Sequence, residues 1–372
     1  MDLGKIFNGR KMKNTKVVAI VVAVVVVLII IGIGLMQRAP TPTPTPTPTP
    51  SPTAPVTTTP PPEEVTKVVL QLNWAILGDH APYFVAEELG YYKQNHLEVE
   101  IIRGYGSADT AKSVAAGTAD FGVADAGSVI SVIGRGGRIK ILYVIFDKCP
   151  FCMWTRKDTG IQTPMDLPGH TIGTPPGDAQ RIMFPALAKK VGIDPDSVTF
   201  VNIDPGAKYS ALAAGTVDAV FDYYTGKPFM EKAVGKENLV YALWADYGIE
   251  MYGNSMITSD KMLEEHPDVV KRFVNATLAA WSWTIEHPEE AIRILAKYHP
   301  EIDVESYTAN LYLCLDLIKT ERFIQHGMGW ISDEIMNETV TLVKTYLGPF
   351  EYEFTVEDVY TKEAWVYYPV KP

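Results

Sequence analysis

Residues 115–120 of the chain read AAGTAD, and residues 213–218 read AAGTVD, 98 positions further on. Each copy ends a helical pattern with a glycine, the residue that most readily adopts the left-handed stop of a helix, and then enters an apolar strand pattern. The paired segments are helices at 111–116 and 209–214 and strands at 121–123 and 219–221. Because the same β-turn-α-Gly-β unit occurs twice, the sequence predicts two lobes of like construction.

The segments around the repeat continue the same rhythm. Residues 68–72 and 97–102 have strand patterns, and residues 81–92 between them have a helical pattern. Alternation of this kind favours an α/β class with largely parallel sheets. In open α/β sheets a ligand lies beyond the carboxyl ends of the strands. The loops at those ends, among them the turns at 104–107 and 204–206, are therefore expected to face each other across a cleft.

The N-terminal region has the pattern of a membrane anchor. Residues 17–36 form an unbroken apolar run of 20 residues, long enough to cross a bilayer. Residues 1–16 carry five positive charges, which predicts a cytoplasmic N-terminus and an outward-facing remainder. The alternative is a cleaved signal peptide, but the run is longer than a usual signal core and offers no clean small-residue cleavage site. We expect a single-pass anchor in the cell membrane.

A linker dominated by Thr and Pro occupies residues 37–64. Such a segment cannot bury apolar area, and its composition is typical of an extended polyproline II stalk. It would hold an extracellular domain away from the membrane. No cysteine stands directly after the apolar run, so a lipid-anchored form is not expected.

Composition limits the classes of function. The chain has 372 residues, of which 47% are hydrophobic, and its net charge is −11 although its first 38 residues are basic. An acidic outer domain argues against nucleic acid as a partner. The pair Cys149 and Cys152, spaced as CPFC, permits a disulfide, two free buried thiols or half of a zinc site. Since no further Cys pair or His cluster accompanies it, we expect the disulfide and no metal site.

Several short motifs resemble one protein family. They are LNW at 72–74, HAPYFVA at 80–86, LGYY at 89–92, DLPG at 166–169 and YGIEMYGN at 247–254. Together they resemble the ABC-transporter substrate-binding proteins of the thiamine-pyrimidine-precursor-binding-like family. Riboflavin, nitrate, sulfonate and taurine binding proteins are broader relatives. The resemblance covers residues 66–350 and includes the helical stretch at 267–287.

The resemblance implies a two-lobed periplasmic-binding-protein fold of type II, here preceded by one transmembrane helix and a Thr/Pro stalk. Lobe I would comprise residues 65–151 and 247–350, and lobe II residues 152–246, with two strands crossing between them. Residues 351–372 would be a C-terminal extension. The implied protein is a monomer that binds a small molecule, uses no cofactor, is not an enzyme, and delivers its ligand to an ABC permease and its ATPase.

The candidate ligand-binding residues fall at predicted strand ends and helix starts. Aromatic side chains could stack on a flat heterocycle, and polar or acidic side chains could bond to it. The alternatives are core aromatics, turn residues, helix N-caps and solvated charges. The candidates are Asn73, Trp74, His80, Tyr83, Ser107, Asp125, Asp178, Asp222, Tyr223, Tyr224 and Glu250.

An acidic cleft suits a neutral or cationic amino-heterocycle better than nitrate or a sulfonate. We therefore expect a small nitrogen-containing nutrient resembling a thiamine pyrimidine precursor, although residues 222–228 (DYYTGKP) depart from the Trp- and Glu-containing run of pyrimidine binders. One alternative is a pyrimidine-precursor synthase like the fungal relatives, which depend on a cytosolic cofactor and a sacrificial histidine. The other is a surface sensor or adhesive module. The sequence contains no phosphate loop, HExxH helix or GxSxG elbow, so none of these motifs indicates an enzyme.

Overall fold

A computed structural model of the protein describes residues 64–364. The predicted cytoplasmic segment at 1–16, the anchor at 17–36 and the linker up to residue 63 lie outside the described residues, as do residues 365–372. Within the described range, no helix combines the length and the apolar character needed to cross a membrane.

Between residues 64 and 364, ten strands form two five-stranded sheets of matching topology. The first sheet has the order β2-β1-β3-β10-β4 and the second the order β7-β6-β8-β5-β9. The names lobe I and lobe II are used below for the parts of the chain built on the first and on the second sheet. The strands are β1 (Thr66–Gln71), β2 (Leu97–Ile102), β3 (Phe121–Asp125), β4 (Ile139–Val144), β5 (Phe151–Arg156), β6 (Thr171–Gly173), β7 (Thr199–Val201), β8 (Ala219–Tyr223), β9 (Leu239–Leu243) and β10 (Asn254–Ser259).

Helices accompany both sheets, and the longest belong to the part of lobe I that follows lobe II in the chain. The described α-helices are α1 (Ala81–Glu88), α2 (Tyr91–Gln94), α3 (Ser107–Ala115), α4 (Ala126–Ile133), α5 (Ala179–Val191), α6 (Lys208–Ala213), α7 (Lys227–Val234), α8 (Asp260–Glu265), α9 (Pro267–Glu286), α10 (Pro288–Tyr298), α11 (Val304–Ile318), α12 (Glu321–His326) and α13 (Asp333–Leu347). The single helix predicted at 81–92 is thus two helices. They are separated at Gly90, whose φ of 76° is a left-handed conformation that ends α1.

The two crossings of the chain between the lobes explain the one antiparallel strand in each sheet. In the first sheet β10 is antiparallel to β3 and β4, and in the second β5 is antiparallel to β8 and β9. Each of these strands follows directly on a crossing, so each enters its sheet from the opposite end. The crossing segments bond to each other, since Gly253 N donates to Phe146 O (3.0 Å) and Ile145 N donates to Asn254 O (2.7 Å).

The repeated hexapeptide has the same structure in both lobes. Gly117 and Gly215 each have a φ of 71° and each follow the last turn of a helix. Asp120 Oδ2 accepts a hydrogen bond from Val69 N (2.8 Å) on the neighbouring strand. Asp218 Oδ2 accepts the equivalent bond from Thr171 N (2.8 Å). The predicted β-turn-α-Gly-β unit therefore exists twice, and its aspartates tie the helix-to-strand loop to the sheet.

The C-terminal segment up to residue 364 packs on lobe I. Thr361 N donates to Ile141 O (3.0 Å), and Val359 O accepts from Ile141 N (2.8 Å), so the segment pairs with edge strand β4. Phe354 and Val359 are buried against the core. Burial of the apolar side chains and pairing of the strand edge both stabilise this arrangement.

Candidate functional site

A cavity lies between the two lobes at the carboxyl ends of β1 and β8. The volume of the cavity is about 30 Å³, so its walls lie close together in this structure. The lining residues are Asn73, Trp74, Leu77, Asp79, His80, Ser107, Asp178, Ala179, Gln180, Lys208, Asp222, Tyr223, Thr225 and Gly226.

The lobe I wall is held by a chain of amide hydrogen bonds. Asn73, just beyond β1, has its Oδ1 3.0 Å from His80 Nε2 and donates through Nδ2 to Asn254 Oδ1 (3.2 Å). Asn254 in turn donates to Asp79 Oδ2 (3.3 Å). Tyr223 of lobe II donates its hydroxyl proton to the same Asn254 Oδ1 (2.9 Å). The network therefore links both walls and fixes the orientation of the polar groups.

His80 is neutral in this environment. Burial lowers the pKa of its imidazole below the ordinary value, and the ring is 1% exposed. Its Nδ1 accepts a hydrogen bond from Leu77 N (3.1 Å), so the ring proton is on Nε2, which donates to Asn73. The histidine thus positions Asn73 and does not add a positive charge to the cavity.

The lobe II wall contains a buried lysine between two carboxylates. Lys208 Nζ lies 2.5 Å from Asp178 Oδ2 and 3.8 Å from Asp222 Oδ1, and it also donates to Phe221 O (2.5 Å). The ammonium is 4.2 Å from the centre of the Trp74 ring, which belongs to lobe I. A buried ammonium requires such partners, because its desolvation would otherwise destabilise the folded state.

Asp222 has a carboxylate oxygen without a hydrogen bond. Among the described residues its Oδ2 has no partner, although the side chain is buried. Burial raises the pKa of Asp222, while the Lys208 ammonium favours its ionised form. An unpaired buried acceptor at a cavity wall can receive a hydrogen bond from a ligand.

The structure brings seven of the eleven predicted site residues together at the cavity. Ser107, the first residue of α3, and Asp178, the N-cap of α5, reach the cavity from two helix starts, and Tyr223 lies at the end of β8. The other four are Asn73, Trp74, His80 and Asp222.

The remaining four candidates lie elsewhere. Tyr83 is fully buried in the lobe I core, where its ring packs edge-on against Trp281. Asp125 caps α4 by accepting from Ser128 N (3.2 Å), and Tyr224 stacks on Trp154 inside lobe II. Glu250 is exposed. Tyr83 and Tyr224 therefore pack as aromatics inside the lobes, Asp125 is a helix N-cap, and Glu250 is a solvated charge.

Several wall residues were not among the sequence-based candidates. The most consequential are Asp79, Gln180, Lys208, Thr225 and the network residue Asn254. Asp79 directly precedes His80 and could have been included with it. Lys208 could have been found by aligning the two copies of the repeat, because it stands where the first copy has Thr110. Lysine is so often a surface residue that its type alone gave no signal.

The expected disulfide between Cys149 and Cys152 is not formed, and both are free thiols. Cys152 is a residue of β5 whose side chain belongs to the apolar cluster around Trp154 and Val220, whereas Cys149 packs against the other side of the sheet. Three residues of extended backbone span about 10 Å, beyond the roughly 7 Å that a disulfide bridges. Burial raises the pKa of both thiols, which disfavours the thiolate form that reacts.

Contacts around the cavity show that the lobes are close together in this structure. Ala108 N of lobe I donates to Gly177 O of lobe II (3.1 Å), and Asn310 Nδ2 donates to Thr225 O (2.7 Å). At the rim, Lys232 forms an ion pair with Asp303 (2.9 Å). Because direct bonds join the two lobes on several sides, the cleft between them is closed in this structure.

The family model described as NMT1/THI5 like matches residues 78–291, so the chain belongs to the NMT1/THI5-like family. Three relatives are similar over most of the two-lobed region. A 4-amino-5-hydroxymethyl-2-methylpyrimidine phosphate synthase of Legionella pneumophila is 25% identical over 65% of this chain and 77% of its own. A riboflavin-binding protein of Chloroflexus aurantiacus is 24% identical over 83% and 90%, and a formylaminopyrimidine-binding protein of Halalkalibacterium halodurans is 23% identical over 63% and 71%.

Solved structures share the fold. A protein of Bordetella bronchiseptica superposes with a TM-score of 0.69 at 18% identity, covering 80% of this chain and 95% of that one. The alkanesulfonate-binding protein of Xanthomonas axonopodis pv. citri, bound to MOPS, gives a TM-score of 0.56 at 14% identity, covering 67% and 84%. The described part of the chain therefore has the α/β two-sheet periplasmic-binding-protein fold, which is related to that of ABC importer binding proteins.

Proposed function

We propose that this protein is the extracellular solute-binding component of an ABC importer and captures a small nitrogen-containing heterocycle similar to a thiamine pyrimidine precursor. The observation that carries the proposal is the cavity between the lobes. It combines one aromatic face, that of Trp74, with fixed hydrogen-bonding groups contributed by both lobes. Such a site favours a flat polar solute, since the ring stacks on the indole and its substituents bond to the walls.

Two features of the cavity support binding without chemical conversion. The wall residue Lys208 is engaged by Asp178 and by Phe221 O, so its amine is not available as a nucleophile. The wall residue His80 is hydrogen-bonded through both ring nitrogens. The family also includes synthases, so turnover is the alternative that the experiment has to address.

Calorimetric titration of the full chain, purified in detergent and dialysed exhaustively, tests the proposal. The titrants are 4-amino-5-hydroxymethyl-2-methylpyrimidine, formylaminopyrimidine, thiamine, riboflavin, taurine and nitrate. We expect one pyrimidine to bind saturably with a stoichiometry of one and to return unchanged when the protein is denatured. A Trp74→Ala variant should weaken binding at least about tenfold, since it removes buried indole surface together with a stacking contact worth about 0.5–1.5 kcal/mol beyond area burial. A matched change, Trp283→Ala in α9, should leave binding unaltered because Trp283 does not line the cavity.

Failure of every pyrimidine to bind to a folded protein would reject the ligand class. If a bound pyrimidine were chemically altered, the synthase hypothesis would be favoured over the importer hypothesis. If binding is confirmed, the full chain reconstituted in liposomes with its permease and ATPase should stimulate ATP hydrolysis only when the ligand is present. Unchanged hydrolysis would contradict delivery to an importer.

The proposal includes the location of the protein. Residues 17–36 would anchor it in the cell membrane, with residues 1–16 in the cytoplasm and the two lobes outside. Protease added to intact cells should then remove the two-lobed part and leave a short membrane-bound fragment. Survival of the full chain under those conditions would reject the outward orientation.

A further inference from the structure

The Lys208 ammonium occupies a position that is built like a binding site for a cation. It lies 4.2 Å from the centre of the Trp74 ring and is flanked by the carboxylates of Asp178 and Asp222. An aromatic face together with two carboxylates is the arrangement that proteins use to hold an organic ammonium ion. These three side chains are called the cation cage below.

The charged groups at the cage are buried, and the cage spans both lobes. The side chain of Lys208 is 2% exposed and those of Asp178 and Asp222 are 4% and 9% exposed. Trp74 approaches from lobe I, whereas the lysine and both aspartates belong to lobe II. The ammonium therefore completes an inter-lobe contact within the same cavity that would hold the ligand.

One acceptor of the cage remains free. Asp178 uses Oδ2 for Lys208 and Oδ1 for the backbone N–H of Gln180, but Asp222 Oδ2 has no partner among the described residues. The Tyr209 hydroxyl lies near Asp222 and favours its ionised form, without forming a hydrogen bond to Oδ2. A neutral solute that carries an N–H group could satisfy this oxygen while the lysine stays in place.

We infer that Lys208 determines the charge selectivity of the site: its ammonium fills the cation cage, so the cavity admits neutral N–H-donating heterocycles and rejects cationic ones. This inference rests on the proposed function for the identity of the solute class, but the cage itself can be tested without any solute. A second positive charge close to Lys208 would be repelled strongly in a desolvated cavity. The free Asp222 oxygen provides the bond that a neutral amino group needs.

A matched pair of pyrimidines tests the selectivity. The two compounds are 4-amino-5-hydroxymethyl-2-methylpyrimidine, which is neutral at pH 7, and its 5-aminomethyl counterpart, which is cationic and nearly the same size. The full chain should bind the neutral compound at least about tenfold more tightly. Lys208→Met, titrated below its melting temperature, should reverse the preference because an unoccupied cage attracts the ammonium. Lys227→Met is the control, since Lys227 also contacts aromatic rings in lobe II but lies outside the cavity.

A second measurement examines the cage alone. In Lys208→Ala, n-propylammonium replaces the atoms that the substitution removes. It should raise the melting temperature saturably, whereas propanol and sodium chloride should not. Wild type and Lys227→Ala should show no such rise. This measurement requires no knowledge of the ligand.

The outcomes separate the two proposals. Wild type that binds both pyrimidines equally, or Lys208→Met that loses affinity for the cationic compound, overturns the selectivity inference and leaves the binding function intact. If wild type binds neither pyrimidine, the proposed ligand class fails, and propylammonium rescue then decides whether the cage exists. Absence of rescue in a folded Lys208→Ala protein overturns the cage.

Discussion

The two copies of the β-turn-α-Gly-β unit share a backbone scaffold but carry different side chains on it. In both copies the glycine is left-handed and the aspartate ties the loop to a neighbouring strand. Even the crossing strands match, since Thr258 donates to Asp120 O (2.7 Å) and Thr155 donates to Asp218 O (2.8 Å). The residues that the copies share thus form the scaffold.

The residues that the copies do not share give each lobe its chemistry. At one position Thr110 bonds to Leu72 O in lobe I, whereas Lys208 reaches Asp178 in lobe II. At another, Ala124 of lobe I corresponds to Asp222 of lobe II. At a third, Asp125 caps a helix where lobe II has Tyr223. The same scaffold therefore carries a polar, largely uncharged wall in lobe I and a charged wall in lobe II. A substitution can give one lobe the residue that the other lobe has at the equivalent position.

The largest expected effect comes from giving lobe II the residue of lobe I, as in Lys208→Thr. Threonine is too short to reach Asp178 and Asp222, so buried carboxylates lose their counter-charge. We expect the free energy of unfolding to fall by about 3–5 kcal/mol, as when one partner of a buried pair is removed. Urea unfolding followed by circular dichroism measures it. Lys227→Thr, on the same lobe but partly exposed, should cost about 1 kcal/mol or less, and a Lys208→Thr cost as small as this would contradict the role of the ion pair.

The next effect concerns Asp125, which has no acidic counterpart at the equivalent position of lobe II. Burial raises the pKa of Asp125 to about 7. A carboxyl with a raised pKa in the folded state stabilises the protein below its unfolded pKa of about 4, and this contribution is lost as pH rises through about 7. Asp125→Asn retains the helix cap but does not titrate.

Unfolding of wild type and Asp125→Asn at pH 4, 5.5, 7 and 8 tests this. Wild type should lose roughly 2–4 kcal/mol relative to the variant between the lowest and the highest pH. Asp222, whose pKa is also raised, is present in both proteins, so its contribution cancels. A constant difference between the two proteins across this range would show that the Asp125 carboxyl does not titrate there.

The smallest effects are expected within the shared scaffold. Gly117→Ala and Gly215→Ala each place a side chain in a left-handed conformation, which should lower the free energy of unfolding by about 1–2 kcal/mol. A Cβ at Gly117 meets no atom within 4 Å, whereas one at Gly215 lies 3.2 Å from the guanidinium of Arg156. Thermal unfolding should show similar losses in both variants, with ligand binding unchanged. A loss confined to one copy would mean that the two units are not equivalent.

The sequence predicted the fold further than it predicted the site. Local patterns identified the repeat, the strand at Leu97–Ile102 and the helix beginning at Pro267, because periodicity and glycine stops act over a few residues. Trp74 and Asp222, chosen for their position at strand ends, lie at the cavity. Tyr83, chosen from a motif shared with a family, lies in the lobe I core, since such a motif does not reveal which face of a helix turns inward. The sequence-based candidates did not include Lys208, because burial of a lysine depends on carboxylates 14 and 30 residues away.

The direction of β1 determines where any preceding segment is attached. Thr66 begins this strand and Trp74 lies beyond its far end, so about 20 Å of sheet separates the attachment point from the cavity. A force applied to the chain at Thr66 would therefore act on lobe I at the end of β1 away from the cavity. It would not pass through the two segments that join the lobes.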